Sequence, residues 1–145
     1  MREKYFMSSI QKRIYVVSNM KANDISYNTP KVFKINGKID VNKLQQAFEK
    51  LIDRYELLRT TFENDSENFY QVVHEHIDSY VKEYKNNLDI VHIMEDFIRP
   101  FDLNIAPLMR IAVVHTLHMD YLLIDFHHII CDVSSVGLYL NDLIL

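Results

Sequence analysis

At 145 residues the chain is long enough to bury a core and fits a single domain. Its 48% hydrophobic and 25% charged residues are ordinary soluble globular composition, and a net charge of −4 with no Lys/Arg run longer than two argues against nucleic acid. One cysteine, Cys131, excludes an internal disulfide and a multi-cysteine zinc site, and two glycines, Gly37 and Gly137, are too few for phosphate-cradling loops.

In chain order, "MREKYFMSSIQKRIYVV" has basic residues but no apolar stretch long enough for a signal peptide or membrane helix, so a soluble cytoplasmic protein is expected. Ser8 or Ser9 is placed to cap a helix running to about Met20, with Ile10, Ile14 and Val17 on one face. "ANDISYNTP" reads as a loop ended by Pro30. "KVFKINGKI" reads as a strand with Asn36-Gly37 as its turn. Asp40 caps a second helix, in which Val41, Leu44, Ala47, Phe48, Leu51, Ile52 and Tyr55 repeat at helical spacing.

"LRTTFEN" and "FYQVVHEH" form a hairpin through Asp65-Ser66-Glu67, and "SYVKEYKNN" reads as an edge strand. "DIVHIMEDFIRP" is helical until Pro100 stops it. Two long strands follow, from Pro107 to Ile129, turning near Met119-Asp120. Ser134 or Ser135 then caps a last helix, "VGLYLNDLIL". Strands and helices interspersed with antiparallel hairpins imply an α/β (α+β) sandwich, with helices packed on a mixed, mostly antiparallel sheet. The apolar ending "LIL" suggests that the last helix continues in a longer protein.

The stretch "FHHIICDVSS" (Phe126–Ser135) carries the chemistry worth testing. On a strand His127 and His128 point to opposite faces, so they do not ligate one metal together. His74 and His76 share a face but have no third ligand nearby in sequence. A histidine ending a buried strand can act as a general base if a partner fixes its tautomer. It can equally be a satisfied core residue, with Asp132 as a helix cap, and spacing leaves both readings open.

Three stretches, in order, bring in a family. "HHIICDV" resembles the HHxxxDG motif of nonribosomal peptide synthetase condensation domains, a motif shared with epimerization domains and carrier-dependent acyltransferases. "DRYELLRTTF" is similar to their RHExLRTxF motif, with Tyr55 where histidine is usual, and "SSIQKRIYVV" is similar to SxAQxRLWxL, keeping Ser8, Gln11 and Arg13. "PFDLNIAPLMRIAVV" matches a further stretch of the family. The resemblance implies that residues 1–145 are the N-terminal lobe of a condensation domain. That lobe resembles chloramphenicol acetyltransferase, and its active site lies in a tunnel against a second, C-terminal lobe that is absent here.

The implied reaction is amide formation between a donor acyl or peptidyl thioester and an acceptor aminoacyl thioester. Both substrates ride on the phosphopantetheine arms of donor and acceptor carrier proteins, and no cofactor is bound directly. The resemblance makes His128 the catalytic residue facing the tunnel and His127 the brace of the loop. It pairs Asp132 with Arg59, whose fork suits a carboxylate. Ser8, Gln11 and Arg13 then shape helix packing and the tunnel entrance. Val133 stands where the motif has glycine, which is costly if that position needs positive φ or close approach to substrate, and would then mean an altered or less active site. Gly137 occupies the place of a second family glycine and would allow close helix packing, and Tyr55 is expected to matter little. The alternatives are a carrier-docking module without catalysis, and a related acyltransferase or epimerization domain. An isolated lobe is expected to be inactive and to self-associate through an exposed apolar interface.

Overall fold

The computed structural model describes residues 3–21, 23–85, 89–130 and 133–144, the last stretch without the side chains of 133, 134 and 144. The order is β1 (Glu3–Phe6), α1 (Ser9–Asn19), β2 (Lys31–Asn36), α2 (Val41–Arg54), β3 (Thr60–Asn64), β4 (Phe69–Val73) and β5 (Val81–Tyr84). It continues with α3 (Ile90–Phe97), β6 (Met109–His115), β7 (Met119–Phe126) and α4 (Val133–Ile144), with single 3-10 turns at Glu56–Arg59 and His128–Ile130.

Polar caps set the helix starts. The Ser8 hydroxyl accepts from the Gln11 N–H while the Gln11 side chain accepts from the Ser8 N–H, a reciprocal capping box. Asp40 accepts from the Asn42 and Lys43 N–H groups, and Asp89 from Val91. Gly37, at φ 103°, provides the left-handed backbone needed after β2.

The strands form two sheets. A three-stranded antiparallel sheet has the order β1-β4-β3, and a four-stranded sheet has the order β2-β7-β6-β5, in which only β5 and β6 run parallel. The four-stranded sheet is buried on both faces because alternate residues of its central strands are apolar both ways. Ile111, Val113, Leu122, Ile124 and Phe126 face the main core, with α2 (Phe48, Leu51, Ile52) and α4 (Val136, Tyr139, Leu143). Ala112, Val114 and Leu123 face a smaller core closed by Ile93 and Phe97 of α3. Helix, sheet and helix thus stack as the expected α/β sandwich. No described helix is long and apolar enough to cross a membrane.

Several details differ from the sequence reading. β1 was not anticipated: all four residues are exposed, so no alternation marks it, and it forms by pairing with β4. On α1 the buried residues are Ile14 and Tyr15, whereas Ile10 is 69% exposed and Val17 38%. The neighbour to be covered lies on the Ile14–Tyr15 side, which periodicity alone did not reveal. The β6–β7 turn falls at residues 116–118, ahead of Met119-Asp120, which already pair with β2. α4 begins at Val133, so Ser134 and Ser135 lie inside its first turn rather than capping it. A Cβ built at Gly137 would meet nothing within 4 Å among the described residues, so close helix packing does not explain that glycine.

At the end of the sheet remote from His128, Asp120 is fully buried opposite His115. It accepts from the Ile39 N–H at 2.7 Å, from His115 Nδ1 at 3.0 Å and from Lys38 at 3.4 Å. Burial pushes its carboxyl up, but these donors outweigh burial and leave it below the usual carboxylate range. Removing the carboxylate strands the Ile39 N–H. Asp120→Ala should therefore cost roughly 2 to 4 kcal/mol in urea unfolding, and a loss no larger than that of exposed Leu138→Ala would refute this account of the β2–β7 corner.

Candidate active site

β7 delivers the histidine pair to a surface. Five consecutive residues, Leu122 to Phe126, are buried, and the strand ends there because the next residues pair elsewhere. The His127 N–H donates to the Leu108 carbonyl at 3.0 Å, the His128 N–H to the Tyr27 carbonyl at 2.8 Å, and the Thr29 N–H to the Phe126 carbonyl at 2.8 Å. His127 forms an isolated bridge with Asn28, after which the chain tightens into the 3-10 turn His128–Ile130. His127 is buried and His128 exposed. Strand alternation is not the cause, since the backbone is leaving the sheet.

The tautomer of His127 follows from its partners. Nδ1 accepts from the Ile129 N–H at 3.0 Å, so Nε2 carries the proton and faces the Ser18 hydroxyl on α1 at 3.3 Å. Burial pushes the imidazole down to about 4, His128 and Arg110 add to that shift, and Asp24 opposes it. His127 is therefore neutral at physiological pH. The Tyr27 ring lies against both imidazoles, with centroids 6.1 Å from His127 at 30° and 6.3 Å from His128 at 21°. Phe101 meets His127 edge-on at 6.0 Å.

Beneath the pair lies a buried polar cluster. Asp125 and Arg110 are cross-strand partners on β7 and β6, with Nη1 4.0 Å from Oδ2. Asn28 donates to the same Oδ2 at 2.8 Å and to the Arg99 carbonyl at 3.0 Å. Arg110 donates to the carbonyls of Arg99 (2.6 Å) and Pro100 (2.8 Å), with its guanidinium 3.7 Å over the Phe101 ring. Burial raises the Asp125 carboxyl against the pull of Asn28 and Arg110, and Oδ1 has no hydrogen-bond partner among the described residues. Burial likewise lowers Arg110 to about 10, which leaves it charged at neutral pH.

The remaining sequence candidates are dispersed. Arg59 donates to the carbonyls of Ile52 (3.1 Å), His74 (2.8 Å) and Asp53 (3.5 Å), tying the end of α2 to the end of β4. Asp132 lies outside the described residues. Val133 opens α4 on helical backbone, a conformation accessible to β-branched residues. Tyr55, expected to matter little, hydrogen-bonds Asp142 of α4 and meets Tyr139 edge-on at 5.0 Å. Tyr139 in turn donates to the Ile130 carbonyl at 3.3 Å and stacks on Phe126, joining α4 to the histidine turn. Sequence reading missed Ser18, Tyr27, Asn28, Arg110, Asp125 and Tyr139. The one available signal was the pair of charges, Arg110 and Asp125, inside otherwise apolar strands.

A lobe of this topology with a histidine pair leaving its central strand is the condensation-domain fold. The starter condensation domain of rhizomide synthetase RzmA superposes with a TM-score of 0.85 at 18% identity, over 97% of this chain and 38% of that one. A four-domain nonribosomal peptide synthetase bound to AMP and glycine gives a TM-score of 0.85 at 22% identity, over 99% of this chain and 12% of that one. The sequence profile described as "Condensation domain" matches residues 1–145, and the chain belongs to that family. Surfactin synthase subunit 2 of Bacillus subtilis (strain 168) is 37% identical over 144 residues, which is 98% of this chain and 4% of that protein. Gramicidin S synthase 2 of Aneurinibacillus migulanus is 37% identical over 141 residues, 96% of this chain and 3% of that protein. The chain thus spans only a few hundredths of the length of these curated relatives.

The buried neutral His127 has a pH signature. Between the ordinary histidine value of 6.5 and about 4, the unfolded chain binds more protons at this residue than the folded one. Its contribution is complete above pH 6.5 and is lost as pH falls toward 4, up to about 3 kcal/mol. In urea unfolding, His127→Asn should flatten the decline in stability from pH 7 to pH 4.5 relative to the wild type. An equal decline in both proteins would contradict a neutral, buried His127.

Proposed function

We propose that the chain is the N-terminal lobe of a condensation domain and supplies the catalytic histidine for peptide-bond formation in nonribosomal peptide biosynthesis. The single observation carrying this reading is the division between neighbours in a member of the family: His127 buried and neutral, His128 exposed beside it at the end of β7. In this reading the acceptor amine nitrogen attacks the carbonyl carbon of the donor thioester. An amide C–N bond forms, the C–S bond breaks, and the proton lost from nitrogen ends on the departing thiol.

His128 meets the amine from the solvent-facing side and orients it for attack. Positioning supplies much of the effect, because an unprotonated amine is already a good nucleophile. Hydrogen bonding to charge as it develops supplies the rest. Both substrates arrive on carrier-protein phosphopantetheine arms, in the cytoplasm, and a second lobe closes the site. Asp132 anchors the turn to Arg59, three of whose five N–H donors bond carbonyls among the described residues. Val133 lies on helical backbone, so it meets no positive-φ penalty there.

The test is single-turnover amide formation by the complete domain, with donor acyl and acceptor aminoacyl thioesters on their carrier proteins. His128→Ala should lower the rate by about 10²-fold or more. Product formation at the wild-type rate would remove His128 from the mechanism.

A further inference from the structure

We infer that Tyr27 is the positioning residue of His128, an inference that rests on the catalytic reading above. Tyr27 lies in the loop between α1 and β2, about a hundred residues from the histidines in sequence, yet it touches His128 in two ways. Its carbonyl accepts the His128 N–H at 2.8 Å, which fixes the backbone where the 3-10 turn begins. Its ring lies nearly parallel to the imidazole, 21° from coplanar with centroids 6.3 Å apart, within the range of offset aromatic packing.

An exposed imidazole has two free side-chain torsions, so one nearby flat surface restricts which way it points. On the described residues, Tyr27 is the aromatic ring that packs on His128. It also packs on His127, whose position is set independently by Ser18 and by the Ile129 N–H. The two imidazoles therefore pack on one and the same ring.

Tyr27 is itself held from the next residue. Asn28 donates to the buried Asp125 carboxylate and to the Arg99 carbonyl, so the loop cannot drift without breaking two hydrogen bonds. The line of constraint runs from Asp125 through Asn28 to Tyr27 and then to His128. What matters at position 27 is the ring and the carbonyl, not the phenol hydroxyl.

The test compares Tyr27→Phe with Tyr27→Leu, since leucine keeps apolar packing and the carbonyl but loses the ring. Two readouts are taken: the three-bond side-chain couplings of His128, which report its χ1 rotamer, in this chain, and amide formation by the complete domain. Tyr27→Phe should retain the single-rotamer couplings of His128 and a rate within about twofold of wild type. Tyr27→Leu should move the couplings toward rotamer-averaged values and lower kcat about tenfold or more with KM nearly unchanged, the mark of lost orientation rather than lost binding. Unchanged His128 couplings in Tyr27→Leu would overturn the proposal, as would a wild-type kcat. If the wild-type domain makes no amide, the functional reading fails, and the coupling comparison still decides whether Tyr27 sets the imidazole.

Discussion

The hydrogen bond from Asn28 to the buried carboxylate of Asp125 is the constraint on which the histidine turn depends. Asp125 sits inside β7 with apolar neighbours on either side, where an ion is expensive unless it is paired. Arg110, its cross-strand partner, offsets part of that cost and is held in turn by two carbonyls and the Phe101 ring. Asn28 completes the arrangement and brings the α1–β2 loop down onto the end of the strand.

From that anchor the two histidines acquire different environments within one residue of each other. His127 enters the interior and has both nitrogens engaged, so it is a fixed neutral group. His128 opens the 3-10 turn beyond the strand and keeps its ring at the surface against Tyr27. The 3-10 turn makes this possible, because it starts as the ladder ends and is pinned at its other side by Tyr139 of α4. Helix α4 is held to α2 by Asp142 with Tyr55 and Arg54. The turn is thus gripped from α1, the α1–β2 loop and α4 at once.

How much of this the sequence disclosed depended on the range of the interaction involved. Helix starts at Ser8, Asp40 and Asp89 were legible or nearly so, since a cap and its target lie within three residues. The β6–β7 hairpin was legible from its β-branched, apolar strands. Strand β1 was not, because its exposed residues carry no alternation and the signal is its pairing with β4, about seventy residues away. The histidine pair was legible as a motif, whereas its support was not. Asn28 reaches partners 71 and 97 residues distant, and Ser18 reaches His127 across 109. Position 133 shows another case: the family pattern has glycine there, and the backbone in this chain is helical, so no positive φ is demanded of Val133.

The most direct test of the Asn28–Asp125 anchor is amide hydrogen exchange in wild type and Asn28→Ala. The Thr29 and His128 N–H groups each donate across the junction between loop and strand, whereas the Ile124 N–H belongs to the central strand. With the anchor removed, protection at Thr29 and His128 should fall together while Ile124 remains protected. Wild-type protection at Thr29 and His128 in the variant would contradict the claim that this buried hydrogen bond holds the histidine turn in place.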